Sequence, residues 1–199
     1  LTNLDNHRIL VALAMEATST SNHLILEMGL TNGGTKALHE YCTSSRRKLI
    51  SLEEDLLAAG RFLRLESESH EVTCSAWVAF PIEARLWSVA VLNHAPGERR
   101  WQDVMRLLNR CEIIVMHDTE PSADYGYQFS RIWGEFKWRV DVKVDGSCWA
   151  SAVSNSHDLS KWRGFRVGQY VVSMGDEGLK TDVQVEKLKH FLETPIEDQ

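Results

Sequence analysis

The fold of this 199-residue chain is decided by one stretch, Leu24-Ile25-Leu26-Glu27-Met28-Gly29-Leu30-Thr31-Asn32-Gly33-Gly34-Thr35-Lys36. A short apolar run bounded by turn residues is typical of a buried parallel strand. The glycines after it can take positive φ and bring the backbone close to a ligand that a Cβ would block. Thr35 is expected to cap a following helix, whose free N–H groups would point at that ligand. The stretch therefore predicts a strand, a glycine turn and a helix that together hold a nucleotide cofactor.

A second acidic residue supports this interpretation. The strand predicted at 48–52 runs into Glu53, about 20 residues beyond the glycines, where a doubly wound fold places the acid that binds ribose hydroxyls. The alternative is that the glycines form only a tight turn, because Thr31 stands where the dehydrogenase fingerprint has its second glycine. Thr31 also counts against a nicotinamide cofactor.

Composition indicates one domain. With 43% hydrophobic and 25% charged residues, the chain has room for one buried core, so we predict a single domain over 1–199 in which 156–199 is a C-terminal extension packed on the rest. No apolar run approaches the roughly 18 residues of a membrane span. The first five residues lack the basic and apolar regions of a signal peptide. We therefore expect a soluble, cytoplasmic protein with no membrane partner.

The chain is acidic overall. The net charge is −6 and the pI is near 5.8, which disfavours nucleic acid because phosphate contacts need a basic face. The short basic clusters at 46–48 and 99–100 are interpreted as solvated helix ends. The four cysteines are spread widely without a C-x-x-C pair, which predicts reduced structural thiols. We expect a small-molecule partner and no nucleic acid, and an oligomer stays open.

Helical and extended periodicities alternate along the chain. Helices are predicted at 5–17 and 55–65, from Glu98 onward, and in the tail at 185–192. Strands are predicted at 23–28, 48–52, 71–75, 88–92, 112–116 and, less legibly, 167–174. Two alternating segments at 137–144 and 148–153, joined by Asp145-Gly146, predict an antiparallel hairpin. The expected fold class is α/β, a Rossmann-like doubly wound sheet that is mostly parallel and carries a C-terminal antiparallel hairpin.

Polar residues follow two successive strands of this sheet. Asn93 and His94 follow the fourth strand, and His117 and Asp118 follow the fifth. Because these strands are neighbours in such a sheet, we expect all four side chains to converge beside the cofactor, with His117 and Asp118 as the candidate catalytic residues. The alternative is that the four residues only hydrogen-bond the loops over the sheet edge.

With an acid at the end of strand one and another at the end of strand two, the region 5–153 resembles the class I S-adenosylmethionine-dependent methyltransferases. Within that fold it looks most like the catechol O-methyltransferase type. The resemblance implies S-adenosylmethionine as the cofactor, held by Glu27, Gly29 and Gly33 of the glycine loop. It also implies that Glu53 binds the ribose hydroxyls.

The resemblance also implies a metal site from which this chain departs. The family holds magnesium with an aspartate after strand four and an Asp-Asn pair after strand five, positions that are Asn93, His117 and Asp118 here. Its catalytic lysine falls at Pro96. Because Mg²⁺ prefers hard oxygen ligands that include carboxylates, this donor set makes a divalent metal doubtful, although a softer ion would accept it. The metal ligands stay unknown.

The sequence therefore predicts an S-adenosylmethionine-dependent methyltransferase acting on a small-molecule oxygen or nitrogen. The alternative is a catalytically degenerate cofactor-binding or interaction domain of the same fold, which the departures at Asn93 and Pro96 favour. Tyr125 and Tyr127 are expected either to line the acceptor pocket or to pack in the core.

Overall fold

The computed structural model describes residues 7–143, 148–167 and 170–173. A β-sheet of order β3-β2-β1-β4-β5-β7-β6-β9-β8 runs through it. Its strands are β1 (Leu24–Met28), β2 (Leu49–Glu53), β3 (His70–Cys74), β4 (Trp87–Leu92), β5 (Cys111–His117), β6 (Trp138–Val142), β7 (Ala150–Ser154), β8 (Arg166–Val167) and β9 (Tyr170–Ser173). The first five are parallel, and β7 and β6 add to β5 as an antiparallel pair. The predicted fold class is confirmed.

In the described part of the chain, five α-helices connect or cover the strands: α1 (His7–Ala17), α2 (Asn32–Ser45), α3 (Leu56–Gly60), α4 (Arg100–Leu107) and α5 (Asp124–Tyr127). The helix predicted at 55–65 is shorter than expected. Asp55 caps α3 by accepting from the N–H groups of Leu57 and Ala58, but the helix ends at Gly60. Glycine has a low helix propensity, and a separate 3₁₀ turn at Leu63–Leu65 follows.

The apolar strand sequences are explained by burial on both faces of the sheet, as parallel strands require. Ile25 of β1 belongs to the core on the side of α1 and α2, and Leu26 belongs to the core on the opposite side. Trp77 and Phe80 are buried in the second core.

Residues 7–15 of α1 are all buried, so this helix is enclosed by protein on every side. It packs against β4, β5 and β7. The polar residues at its start, His7 and Arg8, are therefore buried as well. This enclosure places His7 beside the carboxyl end of β5, where it contacts His117.

The strand order reverses between β1 and β4, which lie side by side in the sheet. In doubly wound folds a ligand crevice opens at this switch point, outside the carboxyl ends of the strands. Here the backbone N–H of Gly29 donates to Leu52 O at 3.0 Å, and the N–H of Asn93 donates to Met28 O at 2.8 Å. The ends of β1, β2 and β4 are thus tied together at one edge.

Two predicted elements, the Asp145-Gly146 turn and the tail helix at 185–192, lie outside the described residues. The interpretation of 46–48 as a solvated helix end is wrong for Arg47, which is buried and donates to Met15 O and to the hydroxyl of Thr18. No helix within the described ranges is long and apolar enough to cross a membrane.

Candidate active site

The loop between β1 and α2 is shorter than predicted, because the helix begins at Asn32. Thr31, not Thr35, caps the helix, and its hydroxyl accepts from the N–H of Gly34 at 3.2 Å. A Cβ on Gly34 would lie 2.6 Å from that hydroxyl oxygen, so a larger residue there would displace the cap. Gly33 is therefore inside the first helical turn, where the N–H groups of Asn32 and Gly33 have no intrahelical acceptor. These N–H groups could therefore donate to an anion at the start of α2.

Gly29 is the residue that lets β1 meet β4. Its φ is +87°, and an added Cβ would lie 2.6 Å from both the N and the Cα of His94. This conformation is one that side-chain-bearing residues rarely adopt. The sequence assigned Gly29 to the cofactor loop, and the structure adds that it is needed for contact with the backbone after β4.

Glu27 lies under the glycine turn and is only 2% exposed. Its carboxylate accepts from Thr35 Oγ1 at 2.8 Å and from Ser51 Oγ at 2.6 Å. The bond from Thr35 explains why this residue does not cap the helix, because the Thr35 hydroxyl donates to a buried acceptor. Burial raises the pKa of Glu27 to about 7, although the two hydroxyl donors oppose this shift.

The raised pKa makes stability depend on pH in a way that Glu27→Gln is expected to remove. The unfolded carboxyl releases its proton near pH 4.5 and the folded one near pH 7, so stability falls as pH rises through this window. The shift corresponds to about 3 kcal/mol. Burial lowers the pKa of His7 to about 3 and that of His70 to about 4, and these groups act with the opposite sign.

The informative measurement is therefore the difference between the melting temperatures of wild type and Glu27→Gln across this pH window. The variant is expected to gain stability relative to wild type as pH rises, because it has no proton to lose. Parallel curves for the two proteins would contradict a protonated Glu27 in the folded state.

Glu53 ends β2 beside the glycine turn. Its carboxylate accepts from the backbone N–H groups of Leu30 at 3.2 Å, Glu54 at 2.8 Å and Asp55 at 3.1 Å. A carboxylate offers about four acceptor positions, so capacity for a ribose hydroxyl remains. The three bonds hold the side chain at the edge where the β1 loop and β2 meet.

His117 is the last residue of β5, and Asp118 follows it with a φ of +59°. Aspartate tolerates this left-handed conformation better than most residues. It allows Asp118 Oδ1 to lie 2.8 Å from Nδ1 of the preceding His117. The histidine side chain is 21% exposed, so part of the ring is accessible.

Asp118 has further partners that keep it ionised. Its Oδ2 accepts from Arg100 at 2.9 Å and from the hydroxyl of Tyr127 at 3.1 Å. Burial alone would raise the pKa of Asp118. The bonds to His117, Cys148 and Arg100 outweigh burial and hold this pKa well below its usual range.

Arg100 is a site residue that sequence reasoning missed, because the cluster at 99–100 was interpreted as solvated. It is 5% exposed, and its guanidinium reaches the ends of both β4 and β5. It donates to the carbonyl of His94 at 2.7 Å, the carbonyl of His117 at 3.1 Å and Asn93 Oδ1 at 3.4 Å. A usable signal was its position at the first residue of α4, where the helix dipole disfavours a cation.

The expected convergence of four side chains is wrong for His94. Its Nε2 lies 3.0 Å from Asp103 Oδ2, and its ring packs on Trp77 with centroids 4.7 Å apart. Burial lowers the pKa of His94, although Asp103 opposes the shift. Asn93, His117 and Asp118 are brought together around Arg100. The buried His94 ring instead contacts Asp103 and Trp77.

His7 is a second residue that the sequence analysis missed. Its ring meets the ring of His117 edge-on with centroids 5.2 Å apart. It also lines a cavity of about 20 Å³ together with Glu27 and Gly34, room for roughly one water molecule. His7 thus links the end of β5 to the glycine turn. No motif marks it, because its contacts come from residues distant in sequence.

The two tyrosines named from the sequence differ. Tyr127 is half-buried, donates to Asp118 and lies under the guanidinium of Arg100, 4.8 Å from the ring centroid. Tyr125 is 92% exposed and does not pack in the core. Tyr127 therefore belongs to the group at the end of β5.

The residues present do not fit the metal site that the resemblance implies. Asn93 and Asp118 direct oxygens at Arg100, a permanent cation. Within the described ranges, ligand atoms of Asp118, Glu120 and Cys148 lie within 4.8 Å of one another. Asp118 is already bonded to four side chains, and Glu120 accepts from the N–H of Trp149 at 2.9 Å. A thiol is also not a ligand that magnesium prefers.

No protein-family model and no curated protein sequence matches this chain. Solved structures do match it. Human methyltransferase-like protein 13, in complex with SAH, has a TM-score of 0.57 and 13% identity, over 78% of this chain and 84% of that chain. The METTL16 MTase domain has a TM-score of 0.54 and 10% identity, over 75% of this chain and 67% of that chain. Spermidine synthase from Thermotoga maritima has a TM-score of 0.58 and 17% identity, over 83% and 67%.

These neighbours correct one prediction. The exclusion of nucleic acid is wrong, since the solved structures that match include METTL16 MTase domains. The physical error was to use net charge, which says nothing about the local charge of a binding face.

The neighbours agree with the predicted enzyme class and with S-adenosylmethionine as cofactor, because two of them were solved with S-adenosylhomocysteine. They do not single out the catechol O-methyltransferase type. At these identities the likeness concerns the fold. This chain has the fold of the class I S-adenosylmethionine-dependent methyltransferases.

Proposed function

We propose that this chain is an S-adenosylmethionine-dependent methyltransferase that transfers the methyl group to a hydroxyl or amine of a small molecule, with His117 as the general base. The observation that carries the proposal is the His117–Asp118 pair at the end of β5, joined to the glycine turn through His7. The catechol O-methyltransferase resemblance of the sequence supports a small acceptor.

The geometry supports His117 as a base in a specific tautomer. Asp118 Oδ1 accepts the hydrogen of Nδ1, which leaves the lone pair of the neutral ring on Nε2. An acceptor hydroxyl placed at Nε2 would lose its proton to it, and the ionised Asp118 would stabilise the resulting imidazolium. S-adenosylmethionine, when bound, supplies an electrophilic methyl group on its sulfonium. The remaining task of the protein is positioning.

The cofactor residues are those at the ends of β1 and β2. The N–H groups of Asn32 and Gly33 at the start of α2 suit a carboxylate or another polar group. Glu53, oriented by three backbone donors, suits the ribose hydroxyls. Glu27 is buried under the turn and would act by holding Thr35 and the start of α2 in place.

Glu53→Gln is expected to weaken S-adenosylmethionine binding about tenfold or more, because charge-assisted hydrogen bonds contribute about 1.5–3 kcal/mol each. The amide keeps the shape and one acceptor oxygen, so the fold should survive. Isothermal calorimetry measures the change, and Glu54→Gln is the matched control because Glu54 is an exposed neighbouring carboxylate. Equal effects of both variants, or comparable NAD binding by wild type, would contradict this assignment.

The acceptor is tested by following S-adenosylhomocysteine formation with catechols, phenols, amines and a single-stranded RNA oligonucleotide. Turnover of a small acceptor supports the proposal. Turnover of the RNA alone would replace the acceptor class. Cofactor binding without turnover of any acceptor would favour the alternative, a degenerate domain that keeps the fold and has lost the chemistry.

A further inference from the structure

Arg100 is held by oxygen atoms from two strand ends. Its Nε donates to His94 O at 2.7 Å, and one terminal nitrogen donates to His117 O at 3.1 Å and to Asp118 Oδ2 at 2.9 Å. The other terminal nitrogen lies 3.4 Å from Asn93 Oδ1. Four oxygens, three of them uncharged, thus surround one buried guanidinium.

Three of these four oxygens come from the positions that the sequence resemblance assigns to a metal. The family's ligands after strands four and five fall at Asn93, His117 and Asp118. In the structure Asn93 and Asp118 contribute side-chain oxygens to the guanidinium, and His117 contributes its backbone carbonyl. A cation is therefore bound at this point of the fold, but it belongs to the chain itself.

A cation at the position of Arg100 is energetically unfavourable unless hydrogen bonds and an ion pair compensate for its burial. A cation at the first residue of a helix faces the positive end of the helix dipole. A buried charge must also be paired and hydrogen-bonded. The carboxylate of Asp118, the carbonyls and the Tyr127 ring, 4.8 Å from the guanidinium, meet that need. The guanidinium fork also fixes the distance between the β4 and β5 ends, since it bonds to both.

We propose that Arg100 is a built-in cation that takes the place of a metal ion in this site. It positions Asn93 and the His117–Asp118 pair. The inference rests on the proposed function for its catalytic consequence and on geometry alone for its binding consequence. Arg100 acts through Asp118, which orients His117, and is therefore a positioning residue. The enzyme then needs no divalent ion for methyl transfer.

The first test uses the wild-type protein and does not depend on knowing the acceptor. Calorimetric titration with Mg²⁺ and with Mn²⁺ is expected to show no binding at this site, and EDTA is expected to leave both cofactor affinity and any methyl transfer unchanged. Binding of either ion that is lost in Asp118→Asn, or loss of turnover in EDTA that Mg²⁺ or Mn²⁺ restores, would overturn the inference.

The second test removes the cation. Arg100→Ala leaves four oxygens around a space, and such oxygens suit a small hard cation. We expect this variant to gain Mn²⁺ binding that the double variant with Asp118→Asn lacks, and to be stabilised against heat by millimolar guanidinium. If methyl transfer is measurable, turnover should fall roughly 100-fold, as expected for misplaced catalytic groups. Millimolar guanidinium should restore part of it.

Arg99→Ala is the matched control, because Arg99 is the neighbouring arginine and bonds Asp103 instead of the strand ends. It should respond neither to guanidinium nor to Mn²⁺. If Arg100→Ala loses stability but shows the same indifference, Arg100 is only a structural salt-bridge partner and the inference fails. Arg100→Lys keeps the positive charge but lacks the planar, forked guanidinium. Added guanidinium should therefore restore less of its turnover than in the alanine variant. The lysine variant should also remain folded if the alanine variant does not. A lysine variant with full turnover would also contradict the positioning role.

Discussion

His117→Ala is expected to lower the rate of methyl transfer by about 10²- to 10⁴-fold, the usual contribution of a general base. The reason is that Asp118 holds Nδ1 of the ring at 2.8 Å, which leaves Nε2 as the nitrogen that can take the proton. Affinity for S-adenosylmethionine should change little, because the ring acts on the acceptor and not on the adenosine. Initial rates at saturating acceptor, together with calorimetry for the cofactor, separate the two effects.

His23→Ala is the control for this experiment. His23 lies just before β1, at the opposite edge of the sheet from His117, and its ring contacts Glu112. It should alter stability slightly and leave the rate near that of wild type. A His117→Ala protein with wild-type turnover would remove His117 from the mechanism. An equal loss in both variants would point to a general effect of removing a histidine.

Gly29→Ala is expected to destabilise the protein by about 2–6 kcal/mol. About 1–3 kcal/mol comes from forcing a side-chain-bearing residue to the φ of +87°, and a similar amount from overpacking. The new Cβ would lie 2.6 Å from His94 N and Cα, which are backbone atoms and cannot rotate away. Relieving the clash would separate the ends of β1 and β4, so cofactor binding should be lost as well.

Gly60→Ala provides the comparison in urea or thermal unfolding. No heavy atom lies within 4 Å of a Cβ at Gly60, and the residue is part of α3. Its replacement should leave stability unchanged or raise it by about 0.4–1 kcal/mol. If Gly29→Ala unfolds with the same midpoint as Gly60→Ala, the close contact between the β1 and β4 ends is not present in solution.

The strand positions were predictable because they depend on local composition. The predicted strand at 88–92 lies within the observed Trp87–Leu92, and the one at 112–116 lies within Cys111–His117. A parallel strand covered on both faces must be apolar at successive positions, so its sequence is recognisable without knowledge of its neighbours. Glu53, the acid at the end of β2, was also predictable because it directly follows an apolar strand in the sequence.

The helix cap was not predictable, although the correct residue types were recognised. Thr31 and Thr35 are both suitable capping residues, but Thr31 is followed by two glycines, which are poor helix formers. The choice between them is made by Glu27, whose buried carboxylate accepts the hydroxyl of Thr35. Thr31 is then left to bond the N–H of Gly34.

The sequence by itself determined the sheet, the glycine turn and the presence of polar residues at the ends of β4 and β5. Only the tertiary structure decided what those residues do. His94 and His117 occupy similar positions, but α4 places Asp103 against His94, and the left-handed backbone of Asp118 turns its carboxylate onto His117. The sequence indicated a surface charge at Arg100. In the folded structure this residue is surrounded by acceptors from positions 93, 94, 117 and 118. The physical reason is that burial of a charge depends on partners distant in sequence, whereas an apolar strand or a glycine turn reflects its own residues.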